Sequence, residues 1–557
     1  MKYEVLVDCY EKLEKTTKRL EKTEIIADLL RNCSDEDLNH VPHLIRGKVF
    51  PASDDRKIGF SSKLMVKAIA QATGAGTKEI ISLWRKKGDL GLVGGELVGR
   101  KRQRTLSSTV LSIKKVHENI QKLASLTGAG TVGKKVSLVA ELLTSATPRE
   151  AKFIIKTVLE EARVGVAEGI VRDAIARVYN ATSSEIEKAY NLVLDYSEIC
   201  RMAKDKKLGK AGLVPGKPSK VMLAIRVESL PEALEAVGSP ALFEFKFDGF
   251  RCLIHKSGEK VILFSRRMEN VTNQFPDVVK NVKECVKGES FILDSEVVGY
   301  DPKTKRYLPF QKISQRIKRK YEIEKMVKDY PVEVNVFDVL SYNGKNMMKE
   351  KQSERRKVLE KIILNKKYKV QETPKLVTSS ESEAMKFFKE SLKAGNEGLM
   401  VKSLDSVYVP GRRVGGWVKY KSFMEPLDLV IVGAEWGEGK RAKWLASFDL
   451  ACKGKGKLLT VGKVGTGIKE KAEGVTFKQL TKELKPYVLE TSGKHVVLKP
   501  KIVVEVGYEE IQKSPTYTSG YALRFPKVLR LRSDEKKVGD ANTLQDIERL
   551  YKGQKKS

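Results

Sequence analysis

Glu244-Phe245-Lys246-Phe247-Asp248-Gly249-Phe250-Arg251 packs an amine nucleophile, two acids, a turn glycine and a permanent cation into one short stretch. Apolar residues (Ala241, Leu242, Phe243, Phe245, Phe247) alternate with charged ones. That period of two predicts a strand with Glu244, Lys246 and Asp248 on one face. Asp248-Gly249 predicts a turn, and Cys252-Leu253-Ile254 a return strand. A lysine flanked by carboxylates forms a plain ion pair as readily as it forms a catalyst, so its reading depends on the residues downstream.

The chain has 557 residues, enough for about three to four domains. Lys+Arg 105 against Asp+Glu 71 gives a formal charge of +34. So large an excess fits a polyanionic partner, most simply nucleic acid. A membrane surface is the competing polyanion, but no apolar run reaches spanning length, and Met1-Lys2-Tyr3-Glu4-Val5 begins no signal peptide. The six cysteines are scattered without a C-x-x-C pair, which indicates neither a zinc site nor a disulfide framework. A reducing cytoplasm, beside the nucleoid, is the expected setting.

Residues 1–216 read as helical. Leu6, Tyr10, Leu13 and Leu20 form an apolar stripe on a charged first helix, and Thr147-Pro148-Arg149-Glu150 is a helix start with Thr as N-cap. Glycine clusters at 74–76, 88–99 and 128–130 read as helix ends where backbone amides can approach phosphates, or as ordinary C-caps. Gly128 to Lys134 matches the start of a P-loop. Lys135 stands where Ser or Thr should, and the preceding Gln121 to Leu126 reads as helix, which argues against one. Lys206 to Lys220, rich in Gly, Pro and Lys, reads as a linker and sets a boundary near 216.

From 217 to 424 strands and helices mix. Phe291 to Val298 is a strand with Asp294 and Glu296 on one face, and Gln311 to Lys328 a basic helix. Val332 to Leu340 is a strand containing Phe337-Asp338, and Trp417 to Lys421 a strand with Lys419 and Lys421 on one face. From 425 to 557, short strands with turn signals predict a small barrel of the oligonucleotide-binding type, followed by a polar tail.

These residues suit one chemistry. A lysine attacks phosphorus only as the neutral amine, which partial burial and neighbouring cations favour. Were Arg251, Lys419 and Lys421 to converge on Lys246, they would lower its pKa and bind phosphate oxygens. A triphosphate would then lose pyrophosphate to a phosphoramidate, through a transition state stabilised by cations. Glu296 and Glu397 are candidate carboxylates for divalent ions, Phe337 could stack on a purine, and Glu244 could accept from its exocyclic amine.

In order along the chain stand Lys246-x-Asp248-Gly249-x-Arg251; Ser265-Arg266; Asp294-x-Glu296; Phe337-Asp338; Glu397-Gly398-x-x-Val401-Lys402; Trp417-x-Lys419-x-Lys421; and Arg524-Phe525-Pro526 with Arg530, Arg532 and Asp534. This set resembles the nucleotidyltransferase motifs of ATP-dependent DNA ligases, most nearly the archaeal replicative ligases related to eukaryotic DNA ligase I. The likeness runs through nearly the whole chain. Glu160 to Gly169 resembles part of that family's helical DNA-binding domain.

The resemblance implies an all-α DNA-binding domain at 1–216, an α+β adenylation domain at 217–424 and a β-barrel OB-fold domain at 425–557. It implies Lys246 as the AMP-accepting nucleophile and Glu244 as the adenine ligand. Arg251 and Arg266 would meet ribose and phosphates, Glu296 ribose or metal, Phe337 the adenine face, and Glu397 metal. Arg413, Lys419 and Lys421 would contact phosphates, while Lys527, Arg530 and Arg532 would orient pyrophosphate. ATP is the implied co-substrate and Mg²⁺ the ion, with Mn²⁺ as a substitute. Nicked duplex DNA is the implied substrate, in replication, repair and recombination, for a monomer with no membrane association. A sliding-clamp partner is implied near Gln103, although Gln103-Arg104-Thr105-Leu106-Ser107 lacks the aromatic residues of the usual docking motif.

RNA ligases and mRNA capping enzymes share the core strands. The large helical region argues against both, and the closing Arg524-Phe525-Pro526 stretch against an RNA ligase. A non-catalytic basic DNA-binding protein would account for the charge but not for the ordered motifs.

Overall fold

The computed structural model describes the chain apart from residues 101–109, 129, 163, 320, 422–423, 438–440, 471–473 and 555–557, and describes only the backbone of 413–415. Gln103 and the clamp-docking expectation therefore lie outside the described residues. The chain forms two compact units. One comprises Met1–Ala384 with Met400–Lys419, and the other Met385–Leu399 with Tyr420–Ser557.

The first unit begins with helices running from Tyr3–Lys15 to Tyr196–Lys204. Tyr3, Leu6, Tyr10 and Leu13 are fully buried, as the stripe predicts. Leu20 departs from it. The first helix ends at Lys15, a new one starts at Arg19, and Leu20 is 78% exposed. Thr147 and Glu150 close a reciprocal capping box at the head of the helix Pro148–Val158. Gly74 and Gly88 are left-handed C-caps.

The glycines between 88 and 99 serve another purpose. Leu90–Gly99 is a helix, and a Cβ on Gly94 would stand 2.0 Å from Ile155 Cδ1, one on Gly95 2.7 Å from the Pro148 carbonyl oxygen. Their bare backbone lets this helix lie directly on Pro148–Val158. Gly130 starts the helix Thr131–Ser145, and the element before it is the helix Ile113–Ser125, so no strand precedes the P-loop-like run.

Most strands of two sheets belong to the same unit. The five-stranded sheet runs Leu223–Val227, Arg413–Lys421, Gly398–Ser403, Ala241–Lys246, Lys375–Thr378. The second runs Lys260–Ser265, Phe250–Ser257, Ser290–Gly299, Val332–Tyr342, Lys345–Asn346, with Val370–Glu372 parallel to Val332–Tyr342. Period-two alternation gives the second sheet two apolar faces. Cys252, Ile254, Leu293 and Val336 pack with Val278, Val282 and Leu359 of the flanking helices. Leu253, Phe264, Ile292 and Leu340 pack with Met222, Tyr408 and Trp417 at the seam between the sheets.

Three expectations change here. Phe250–Ser257 pairs with Lys260–Ser265 and Ser290–Gly299, so Asp248-Gly249 passes the chain from one sheet to the other instead of closing a hairpin. The basic helix of 311–328 is two helices, Phe310–Ile317 and Ile323–Asp329, with Glu322 left-handed (φ 55°) ahead of the second. The polar tail contains the helix Leu544–Gly553, opened by a Thr543–Asp546 capping box and anchored by fully buried Ile547.

The second unit is rich in strands. Leu427–Trp436 pairs with Leu445–Lys453 along one edge, and with Val503–Gly507 and His495–Leu498 along the other. Its core gathers Leu429, Ile431, Phe448, Leu450, Val461 and Val504 with Leu480 and Leu484 of the helix Phe477–Leu484.

The first unit buries neutral histidines. His117 hydrogen-bonds the Val49 carbonyl through Nε2 at 2.9 Å, and its Nδ1 faces His40 Nδ1 at 3.0 Å. Burial, with His43 and His40 adding to it, pushes the His117 pKa down to about 3. Burial alone does the same to His255, whose Nδ1 accepts the Gly216 amide at 3.2 Å. The unfolded chain binds these protons near pH 6.5, and the fold refuses them until about pH 3. Their stability contribution is therefore present above pH 6.5 and is lost as pH falls toward 3, at up to about 1.4 kcal/mol per pH unit for each histidine. Urea unfolding between about pH 7 and 4.5 should show a shallower acid slope for His117→Gln than for wild type. Equal slopes would contradict this assignment.

Candidate active site

Lys246 is the last residue of the strand Ala241–Lys246. Ala241, Leu242, Phe243 and Glu244 are buried, while Phe245 and Lys246 are half-buried, so the strand emerges from the core at the lysine. Phe247 is buried again, edge-on to Phe245 and Tyr307. Asp248 accepts the Phe310 amide at 3.2 Å and so places a carboxylate at the N-terminus of the helix Phe310–Ile317. A Cβ on Gly249 would stand 2.4 Å from the Val297 carbonyl oxygen and 3.1 Å from Glu296 Cγ. Glycine is thus what lets the segment after Lys246 lie on the strand of Glu296.

Antiparallel register sets Arg251 opposite Glu296 and Leu253 opposite Asp294, which puts Arg251, Asp294 and Glu296 on the seam face. Arg251 grips Asp294 with two nitrogens at 2.8 and 2.5 Å and donates to the Met222 carbonyl at 2.6 Å and the Tyr408 hydroxyl at 3.2 Å. Asp294 is fully buried and also accepts from Tyr408 at 2.6 Å. Arg251, expected at the phosphates, is first of all the counter-ion of a buried acid, with its guanidinium 5.4 Å from the Phe337 ring centre.

Phe337 owes its position to a β-bulge. Asp294 pairs with Asp338 and Ser295 with Val336, which leaves Phe337 as the extra residue. The insertion turns Phe337 toward the seam, edge-on to Trp417 at 6.0 Å. Asp338 meets Arg355 at 2.7 and 3.0 Å, and both are fully buried.

Glu244 is 1% exposed and ionically satisfied. Its Oε1 accepts from Arg356 at 2.7 Å and its Oε2 from Lys402 at 2.6 Å. The Lys402 ammonium also donates to the Phe337 carbonyl at 3.2 Å and lies 4.2 Å from the Trp417 ring centre and 4.8 Å from that of Phe337. Burial pushes the Lys402 pKa down, and Glu244 and Asp338 pull it back up. Removing one partner of such a pair strands a buried charge, at about 3–5 kcal/mol.

Lys419 is half-buried on Arg413–Lys421, on the same face as Trp417. Arg413 begins that strand, and its side chain is outside the described set. Arg266 is exposed just beyond Lys260–Ser265.

In the second unit Lys421 lies 2.8 Å from Glu397 and 3.0 Å from Glu509. Arg530 pairs with Glu505, and Arg532 with Glu535 at 3.2 Å. Lys527 is exposed on the strand Lys527–Leu531. The Arg530 pair, with its guanidinium 52% exposed, is of the weak, solvent-screened kind.

Sequence reading missed Arg355, Arg356 and Tyr408, and gave Lys402 no role. Adjacent arginines on an amphipathic helix look like a solvated face. Only the buried acids opposite them, Asp338 17 residues from Arg355 and Glu244 112 residues from Arg356, reveal their positions.

Residues 2–176 match the family described as DNA ligase N terminus, 221–421 the ATP dependent DNA ligase domain, and 441–535 the ATP dependent DNA ligase C terminal region. The chain is 45% identical to a DNA ligase of Nanoarchaeum equitans, over 100% of this chain and 99% of that one. It is 43% identical to a DNA ligase of Thermococcus onnurineus, again over 100% and 99%. The solved structure titled Pmar-Lig_PreS3 shares the fold at a TM-score of 0.53 and 18% identity, covering 94% of this chain and 99% of that one. With all three family regions in order and full-length relatives at this identity, the chain belongs to the ATP-dependent DNA ligases.

Proposed function

We propose that this ligase seals nicks in duplex DNA through an adenylate carried on Lys246, and that it works as three domains, 1–216, 217–424 and 425–557. One observation carries the reading. The strand that ends in Lys246 also holds Glu244, and Glu244 shares Lys402 with Phe337 and Trp417. Nucleophile, carboxylate and aromatic face thus belong to one stiff assembly at the seam.

In the first step the neutral Lys246 amine attacks the α-phosphorus of ATP. An N–P bond forms, the α–β phosphoanhydride bond breaks, pyrophosphate leaves and the nitrogen loses its proton. AMP then passes to the 5′-phosphate at the nick. The adjacent 3′-hydroxyl attacks that phosphate, sealing the strand and releasing AMP. Glu244 accepts the exocyclic amine of adenine while Phe337 covers its face. Arg266, Arg413, Lys419 and Lys421 meet ribose and phosphates, and Arg251 supports them from the Asp294 pair. Lys527, Arg530 and Arg532, on an OB-type domain, orient the pyrophosphate.

Among the described residues no group of three or more His, Cys, Asp or Glu side chains is arranged to hold a metal ion. Mg²⁺ arrives on nucleotide phosphates and takes one or two protein carboxylates. Glu296 and Glu397 are each a candidate carboxylate for such an ion, which would neutralise charge on the phosphate oxygens. No helix among the described residues is long and apolar enough to cross a membrane.

Incubation with α-labelled ATP and Mg²⁺ should leave label on the denatured wild-type chain and none on Lys246→Ala. Persistent labelling of the variant would refute the assignment. Because a ligase must ignore sequence, most of its DNA contacts should be to phosphate and sugar. Affinity for a nicked duplex should then fall by about a thousandfold or more between 50 and 200 mM salt. A flat salt dependence would exclude an extended phosphate-binding surface.

A further inference from the structure

Arg356 lies in none of the ordered motifs, yet it ties the Glu244 carboxylate to the frame around it. Its side chain is 5% exposed on the helix Gln352–Ile362. One terminal nitrogen donates to Glu244 Oε1 at 2.7 Å, and the other donates to the Thr373 carbonyl at 2.5 Å and stands 3.3 Å from Glu372. Thr373 is fixed in turn, its amide and its hydroxyl both donating to the Val336 carbonyl, at 2.9 and 3.2 Å. Val336 immediately precedes the bulged Phe337. One guanidinium therefore connects the carboxylate to the strand that carries the aromatic ring.

The chemistry of a purine edge gives this arrangement a consequence. Adenine presents an amine at carbon 6, which donates. Hypoxanthine and guanine present a carbonyl there, which accepts. An ionised carboxylate only accepts, whereas a carboxylic acid can also donate. Lys402 cannot fix the carboxylate alone. It is a point charge that also serves the Phe337 carbonyl and two ring faces, whereas a planar guanidinium holds two directions at once.

We propose that Arg356 is the positioning residue that sets base selectivity. By holding Glu244 as an ionised, fixed acceptor, it makes the site take a 6-aminopurine nucleoside triphosphate and reject a 6-oxopurine one. The proposal rests on the reading of Glu244 and Phe337 given under the proposed function.

The test compares self-labelling by α-labelled ATP and α-labelled ITP, as the ratio of kcat/KM for the two nucleotides. A site built around a fixed acceptor loses discrimination when the acceptor is freed, so Arg356→Gln should lower the ATP/ITP ratio by about tenfold or more. Arg356→Lys, which keeps the charge but not the fork, should fall between. A merely structural role would slow both nucleotides alike and leave the ratio unchanged. An unchanged ratio in an Arg356→Gln protein with wild-type near-UV circular dichroism overturns the proposal. Should that variant fail to fold, an unchanged ratio in Arg356→Lys does the same. Glu244→Gln separates the two levels. If it still labels with the wild-type ratio, the adenine reading of Glu244 fails and carries this proposal with it. If its ratio collapses while that of Arg356→Gln does not, only the role of Arg356 is wrong.

Discussion

A carboxylate that is 1% exposed has to be matched by cations, and the seam of the first unit is built around that requirement at Glu244. The two charges that answer it come from distant places, Arg356 from a helix on the second sheet and Lys402 from a strand of the first. Asp294 with Arg251 and Asp338 with Arg355 repeat the solution nearby. Leu253, Ile292, Leu340 and Trp417 form the apolar cluster of the same seam. The ion pairs specify how the sheets meet more than they stabilise the fold, because the alternative to each is a buried, unpaired charge.

The cations of the second unit follow no single rule. Lys421, Arg530 and Arg532 are held by acids of their own unit, in pairs that keep some contact with water. Arg530, 52% exposed, sits in a pair of the kind that contributes little to stability, whereas Lys421 and Arg532 are about as covered as Arg251.

Much of this organisation was legible in the residues. Alternation around Lys246 located its strand, the Thr147–Glu150 spacing located a helix start, and the ordered acids and lysines pointed to the family. What stayed hidden depends on partners. Alternation identifies a strand but not its neighbour, so Asp248-Gly249 read as a hairpin turn although it bridges two sheets. A bulge shifts the face of every residue beyond it, and only the pairing of Asp294 with Asp338 and Ser295 with Val336 reveals the one at Phe337. Gly91, Gly94 and Gly95 looked like punctuation until the helix they lie against was in place. Arg356 went unread for the same reason, its acid Glu244 standing 112 residues away.

The measurement that bears most directly on this account is peptide mapping of the adenylated protein by tandem mass spectrometry. The account predicts one adenylate per chain, on the peptide Glu244 to Arg251, with fragment ions placing it on Lys246. An adenylate on Lys402, Lys419 or Lys421 instead, or a chain that carries none after incubation with ATP and after treatment with pyrophosphate, would contradict it.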